Sequence, residues 1–286
     1  MSLSRRKFIQ LAGLGLGGAL LAPRTVLASG GIEAEDSVAM LYDATKCVGC
    51  RACQNACKDW NGNPAELDPS GLYDAPKELS ADTWTLIQLY EGEGERSFVK
   101  LQCMHCLHPA CASACPVHAL QKTPEGPVTY DPGRCIGCRY CMVACPFHIP
   151  RFKWDAVLSE VAKCTFCNDR LAVGKGPACV EACPTGALIW GRRGELLAEA
   201  RRRLAAHPDR YVNHIYGEHD AGGTSVLYLS HVPFEKLGLP ALGPEPVPEL
   251  SEQAGLLVLP TLLLGVPLAL AGTRYLTSRR VKGGEA

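Results

Sequence analysis

The sequence predicts an α+β protein: small cysteine-rich units repeated in tandem, with inserted loops, followed by one C-terminal transmembrane helix. Three observations carry this reading. The 286-residue chain holds 16 cysteines, which fall into four similar groups with none left over. Short β-rich runs broken at glycine turns lie between the groups. Near the end, Gln253–Thr273 carries no charge at all.

At the N-terminus, Ser4-Arg5-Arg6-Lys7-Phe8-Ile9 precedes an apolar, glycine-rich run from Leu11 to Ala22, and Val26-Leu27-Ala28 offers a small-residue cleavage site. A basic start, a short apolar stretch and a small residue before the cut make a signal peptide over 1–28. The adjacent arginines make it the twin-arginine kind. An uncut N-terminal anchor helix is the alternative. Gly13, Gly15 and Gly18, with Glu35 beyond, formally match a dinucleotide fingerprint. That motif needs a strand before it and a βαβ unit around it, so no such site is assigned.

Residues 29–239 form the main domain. Val38–Asp43 reads as a strand leading into the first cysteine group, Cys47-x2-Cys50-x2-Cys53-x3-Cys57. Asn61–Ser80, rich in Pro, Asp and Gly, reads as an inserted loop. Trp84–Tyr90 and Arg96–Leu101, either side of a Glu-Gly turn, read as a hairpin. The second group is Cys103-x2-Cys106-x4-Cys111-x3-Cys115-Pro116. Pro124–Asp131 has the pattern of a hairpin, and the third group follows: Cys135-x2-Cys138-x2-Cys141-x3-Cys145-Pro146. The fourth is Cys164-x2-Cys167, a gap, then Cys179-x3-Cys183-Pro184. Glu195–His207 is helical in pattern, with Arg201–Arg203 as a solvated face. Ser225–Leu229 suits an edge strand.

The third group has the bacterial ferredoxin spacing and the others are variants of it. Thiolates two to four residues apart can wrap one face of a cubane, each binding one iron. The fourth cysteine, followed in three groups by proline, reaches a neighbouring cluster. Small residues in the gaps, Gly49 and Gly137 among them, let the backbone come close to sulfur. Disulfides are a weak rival, because cysteines two residues apart are awkward partners. Four zinc sites are a better one, but zinc does not call for three-cysteine runs capped by Cys-Pro. The expected cofactors are therefore four [4Fe–4S] clusters.

Pro240–Pro248 opens a stiff spacer over 240–252. Gln253–Thr273, at about 1.5 Å per residue, is roughly 31 Å long, enough to cross a hydrocarbon core. Glu245, Glu249 and Glu252 precede it, and Arg274, Arg279, Arg280 and Lys282 follow within the tail, 274–286. The positive-inside rule then puts the tail in the cytoplasm. The expected location is the periplasmic side of the inner membrane, reached by twin-arginine export and held by a single-pass C-terminal anchor.

Charge and motif searches exclude other classes. The chain has 29 basic and 29 acidic residues, and between its basic ends 21 basic stand against 28 acidic. No nucleic-acid-binding face is indicated. No Cys-x-x-Cys is followed by His, so no c-type haem is attached. His105, His108, His118 and His148 lie near cysteines whose thiolates already complete every group. No nucleophile–base pattern or nucleotide loop is present, so no catalytic residue is assigned and the chain conducts rather than reacts.

Four such groups, with the wide gap in the fourth, resemble the iron–sulfur subunits of the membrane-bound oxidoreductases related to DMSO reductase, nitrate reductase and formate dehydrogenase. Lys163–Arg170, Gly217-Glu218-His219 and Val226–Ser230 are similar to the formate dehydrogenase and hydrogenase members. The resemblance implies tandem bacterial-ferredoxin-like folds and a ligand scheme. Cys47, Cys50, Cys53 and Cys183 would hold one cluster, and Cys57, Cys164, Cys167 and Cys179 its neighbour. Cys103, Cys106, Cys111 and Cys145 would hold the third, and Cys115, Cys135, Cys138 and Cys141 the last. Cys138 stands where some relatives have Trp and a three-iron cluster. The two ends together most resemble the HybA-type subunit of periplasmic uptake [NiFe]-hydrogenases. A β subunit of formate dehydrogenase or another molybdopterin oxidoreductase is the alternative, and a free polyferredoxin a third. The implied partners are a catalytic subunit, expected to be the hydrogenase, and an integral membrane, quinone-linked subunit.

Overall fold

A computed structural model of the protein describes residues 34–65, 76–92, 94–154, 160–249, 252, 258 and 261–283, with the backbone alone for 276 and 278–283. In chain order its elements are β1 (Val38–Asp43), α1 (Ala52–Asn61), β2 (Leu86–Gly92), β3 (Glu95–Leu101), α2 (Ala110–Ser113), β4 (Leu120–Lys122) and β5 (Val128–Tyr130). Next come α3 (Tyr140–Ala144), β6 (Arg151–Phe152), β7 (Val161–Ala162), α4 (Asn168–Leu171), α5 (Ala178–Glu181) and β8 (Leu188–Arg192). The last are α6 (Arg193–Ala206), β9 (Val226–Leu229) and α7 (Val266–Gly283). The result is an α+β fold.

β1 organises the rest. It pairs antiparallel with β8, from Val38 opposite Arg192 to Tyr42 opposite Leu188, and parallel with β9, from Met40 opposite Val226 to Asp43 opposite Leu229. Successive side chains of a strand point to opposite faces, and both faces of β1 are covered. Met40 and Tyr42 face the core that also holds Leu86, Ile87, Val99, Met104, Phe166, Tyr228 and several cysteines. Ala39 and Leu41 face Leu196, Leu197 and Ala200 of α6. Burial on both sides explains why this strand is apolar from Val38 to Tyr42 rather than alternating. β9, expected as an edge strand, does lie at the edge of its sheet, yet all four of its side chains are buried.

β2 and β3 form the expected hairpin, with Leu86 opposite Leu101 and Gly92 opposite Glu95. Strand pairing runs into the Glu-Gly segment, so the turn is tighter than the sequence pattern suggests. β4 pairs with β5, and β6 with β7, as shorter hairpins. Pro240–Glu249 lies against the domain: Tyr216 donates its hydroxyl hydrogen to the Pro240 carbonyl at 2.7 Å, and Ala221 N–H donates to the Gly243 carbonyl at 2.8 Å.

α6 starts two residues before the expected Glu195. Arg201 and Arg202 are solvated, at 63% and 70% side-chain exposure, but Arg203 is not, at 11%. Its guanidinium Nη1 meets Asp43 Oδ2 at 2.9 Å. Asp43 is fully buried and also accepts from Tyr211 (2.9 Å) and from the Thr45 hydroxyl (2.6 Å) and N–H (3.0 Å). This network ties the end of β1 to α6 just before the first cysteine group.

The transmembrane helix expected over Gln253–Thr273 is overturned. Among the described residues, no helix is long and apolar enough to cross a membrane. α7 lies further along the chain than the apolar run, so its second half carries Arg274, Arg279, Arg280 and Lys282. Its apolar part, Val266–Thr273, is only about 12 Å long at 1.5 Å per residue. Ahead of it Thr261–Gly265 is a π-helical turn rather than α-helix. The expected location falls with that helix: the anchored periplasmic topology rested on a span not found among the described residues. The twin-arginine signal expected over 1–28 lies outside the described residues.

Breaking a buried, hydrogen-bonded ion pair by removing one partner costs about 3–5 kcal/mol. Asp43→Ala should therefore lower the Tm by several degrees or more in an anaerobic thermal melt. A Tm equal to that of the unmutated protein would show that the network does not brace β1.

Candidate metal centres

The four cysteine groups are built alike. Between the first two cysteines of each group, the second intervening residue has left-handed backbone: Gly49 (φ 70°), His105 (φ 48°), Gly137 (φ 68°) and Phe166 (φ 60°). That turn bends the chain back, so both thiols can face one point. The third cysteine of each group then occupies the second position of a helix: Cys53 in α1, Cys111 in α2, Cys141 in α3 and Cys179 in α5. Three groups close on Cys-Pro, and two residues past each proline another left-handed residue turns the chain: His118, His148 and Gly186.

All sixteen cysteines are free thiols. Only Cys50 and Cys138 are exposed; the others are buried or half-buried. Burial pushes the Cys53, Cys57 and Cys111 thiols up to about 12 and Cys141 to about 11. Burial likewise raises Cys47, Cys145 and Cys167, and takes Cys106 and Cys164 well above the ordinary range. Cys183 goes the other way. Burial works against its thiolate, but N–H groups of Leu188, Thr185 and Ala187 and the Thr185 hydroxyl bring it below the usual value.

The thiols that act on one another reveal which are gathered together. Cys47 has Cys183 and Cys50 as neighbours, and Cys53 has Cys179, Cys47 and Cys183. Cys57 has Cys179, Cys167 and Cys53, and Cys164 has Cys57, Cys103 and Cys179. Cys106 has Cys103, Cys145 and Cys111. Cys141 has Cys138, Cys115 and Cys135. The last cysteine of each group thus acts on cysteines of another: Cys183 on Cys47 and Cys53, Cys57 on Cys164, Cys145 on Cys106 and Cys111, and Cys115 on Cys141. The packing of α1 on α5 and of α2 on α3 is what brings them there.

The donor set suits iron–sulfur clusters. Sulfur-directed hydrogen bonds are already in place: Ala119 N–H to Cys115 Sγ at 3.2 Å, Phe166 N–H to Cys164 Sγ at 3.4 Å, and Asn61 Nδ2 to Cys57 Sγ at 3.6 Å. Among the described residues, no three His, Cys, Asp or Glu side chains are close enough to hold a single metal ion. Thiolates that each bind a different iron of one cubane need not be.

Residues 95–193 match the family described as a 4Fe-4S dicluster domain. A protein of Nitratidesulfovibrio vulgaris is 42% identical, across 98% of this chain and 78% of its own length. The hydrogenase-2 operon protein HybA of Escherichia coli O157:H7 is 39% identical, across 98% of this chain and 96% of its own. The iron-sulfur subunit of the nitrate-inducible formate dehydrogenase of Escherichia coli K12 is 42% identical over 68% of each chain. This chain belongs to the iron–sulfur electron-transfer subunits of the DMSO reductase and formate dehydrogenase family. It carries a two-cluster [4Fe–4S] domain and is a non-catalytic subunit of an oxidoreductase complex. Its relatives do not favour the HybA type over the formate dehydrogenase subunits.

Buried cations beside the thiols were missed by sequence reasoning. Lys100 and Lys163 are 0% and 3% exposed, and Lys122 is half-buried, its ammonium pushed down to about 8 by burial. His105 is also fully buried. Its Nδ1 accepts from Val128 N–H at 2.9 Å, and burial with the charges of Lys163, Lys122 and Lys100 holds its pKa well below the usual range. No spacing rule marks a lysine as buried. The one local cue was Lys163 directly ahead of Cys164.

A Cβ on Gly49 would run into the Phe98 ring and sit on a left-handed backbone. Gly49→Ala should cost the protein about one cubane of its iron, read by iron analysis and by loss of one set of EPR signals after dithionite. Full iron loading of the variant would show that this turn does not position the first group.

Proposed function

We propose that this chain holds four [4Fe–4S] clusters and relays electrons through them between a catalytic and a membrane-linked partner. We sort the sixteen cysteines into four sets on the observation that the last cysteine of every group acts on cysteines of another group. Each set joins three cysteines of one group to the last of another. Cys47, Cys50, Cys53 and Cys183 hold the first cluster; Cys57, Cys164, Cys167 and Cys179 the second. Cys103, Cys106, Cys111 and Cys145 hold the third, and Cys115, Cys135, Cys138 and Cys141 the fourth. Bound there, the clusters supply one-electron redox chemistry.

The contacts between sets support a line rather than a ring. Cys53 neighbours Cys179, Cys164 neighbours Cys103, and Cys111 neighbours Cys141. Those pairs join the first set to the second, the second to the third and the third to the fourth. Exposed Cys50 and Cys138 belong to the two end sets, which suits entry of electrons at one end and exit at the other.

The catalytic partner is assigned as a formate dehydrogenase or another molybdopterin oxidoreductase. The formate dehydrogenase subunit is 42% identical to this chain over 202 residues. The hydrogenase partner expected from the two chain ends stands second, supported by a match to HybA across 98% of the chain.

Anaerobically prepared protein should contain about sixteen irons and as many sulfides per chain, with negligible zinc. About eight irons, or several equivalents of zinc, would sink the four-cluster reading. The catalytic subunit that co-purifies with the native protein should contain molybdopterin; one with a nickel site would move the assignment to hydrogenase.

A further inference from the structure

We infer that Lys100 supplies a fixed positive charge that raises the reduction potentials of the two centres held by the first and fourth cysteine groups. The inference rests on the four-cluster reading above and adds to it a residue that holds no metal.

Lys100 sits near the end of β3, opposite Ile87 of β2, and is 0% exposed. An ammonium has three hydrogens to give. The one hydrogen-bond acceptor it finds is Gln102 Oε1, and the amide of Gln102 points on to Met40 Sδ at 3.4 Å. Among the described residues no carboxylate pairs with Lys100. An isolated buried cation is costly and survives only when something nearby compensates it. The groups that act on it are thiols, in order Cys179, Cys53, Cys164 and Cys57. Every one belongs to the first or fourth group. Cys53, Cys164 and Cys179 share one packed core with Ile87, the residue paired with Lys100, and with Val99 beside it.

The other two lysines are placed differently. Lys163 Nζ donates to the Val128 and Cys164 carbonyls at 2.6 and 3.0 Å. Lys122 Nζ donates to the His105 carbonyl and the Ser225 hydroxyl at 3.2 and 3.3 Å, and Cys106 and Cys103 are the thiols acting on it. In the first and fourth groups Arg170 also acts on Cys167, but Lys100 is the buried cation that acts on four of their thiols. Its strand is anchored from the other side, because Tyr228 donates its hydroxyl hydrogen to the Lys100 carbonyl at 2.7 Å. Accepting an electron adds one negative charge to a thiolate-bound cluster. In a water-poor interior a nearby ammonium favours that added charge strongly, and net charge is one of the quantities that set cluster potential.

The test is an EPR-monitored redox titration of the full chain, with iron content measured alongside, for the unmutated protein, Lys100→Met and Lys100→Arg. In Lys100→Met the potentials of two centres should fall, each by at least tenfold in the reduction equilibrium, about 59 mV for one electron. The other two centres should hold their values, and Lys100→Arg should keep all four near native. If Lys100→Met fails to load iron while Lys100→Arg loads fully, the charge is required and the inference stands. Native potentials in a fully loaded Lys100→Met would overturn it, as would equal shifts in all four centres or failure of both variants to load. Fewer irons than four clusters need in the unmutated protein would instead strike the four-cluster reading.

Discussion

The rest of the structure depends on one backbone constraint: the residue before the second cysteine of each group takes a left-handed conformation. Without that reversal, the first two thiols of a group could not face a common point three residues apart. Glycine meets the constraint at 49 and 137 with no steric cost. His105 and Phe166 meet it with side chains, at roughly 1–2 kcal/mol each. These two strained residues brace one another. Both are fully buried, and their rings meet edge to face at 4.9 Å, linking the second group to the fourth. The Val128 N–H bonded to His105 Nδ1 adds a third anchor, from β5.

Once the turns are set, the helices complete each site. The third cysteine enters a helix at its second position, and α1 packs on α5 while α2 packs on α3. This packing brings the last cysteine of one group near cysteines of another, and under the proposed ligation neither group of a pair would be complete alone. Folding and ligand binding would then be two sides of one process. The cost of crowding sixteen cysteines into a mostly buried space is offset by buried cations, by N–H groups aimed at sulfur, and by the apolar core around β1.

The four cysteine groups were legible from spacing, because a cluster imposes its own period on the chain; the pairing between groups came only from the family resemblance. β1 and the β2–β3 hairpin were legible too, since β-rich runs with a glycine turn admit few other readings. What the pattern could not show were features decided by tertiary contacts. Arg203 belongs to a basic run that looks solvated, but β1 offers it a buried Asp43. His105 and Phe166 carry no mark of left-handed backbone, since only glycine signals it. Lys100 looks like an ordinary strand lysine until the thiols around it are seen. The C-terminal run misled for a different reason: an uncharged stretch of sufficient length specifies neither where a helix begins nor that it stays α-helical. The helix formed over the following basic residues instead.

The central claim is reciprocal ligation, in which each group lends its last cysteine to another group's centre. It is tested most directly by comparing the EPR spectra of dithionite-reduced Cys183→Ser, Cys50→Ser and Cys164→Ser protein. Cys183→Ser should alter the same signals as Cys50→Ser and leave intact those lost in Cys164→Ser. If Cys183→Ser instead alters the signals that Cys164→Ser removes, each group keeps its own four cysteines and the account is wrong.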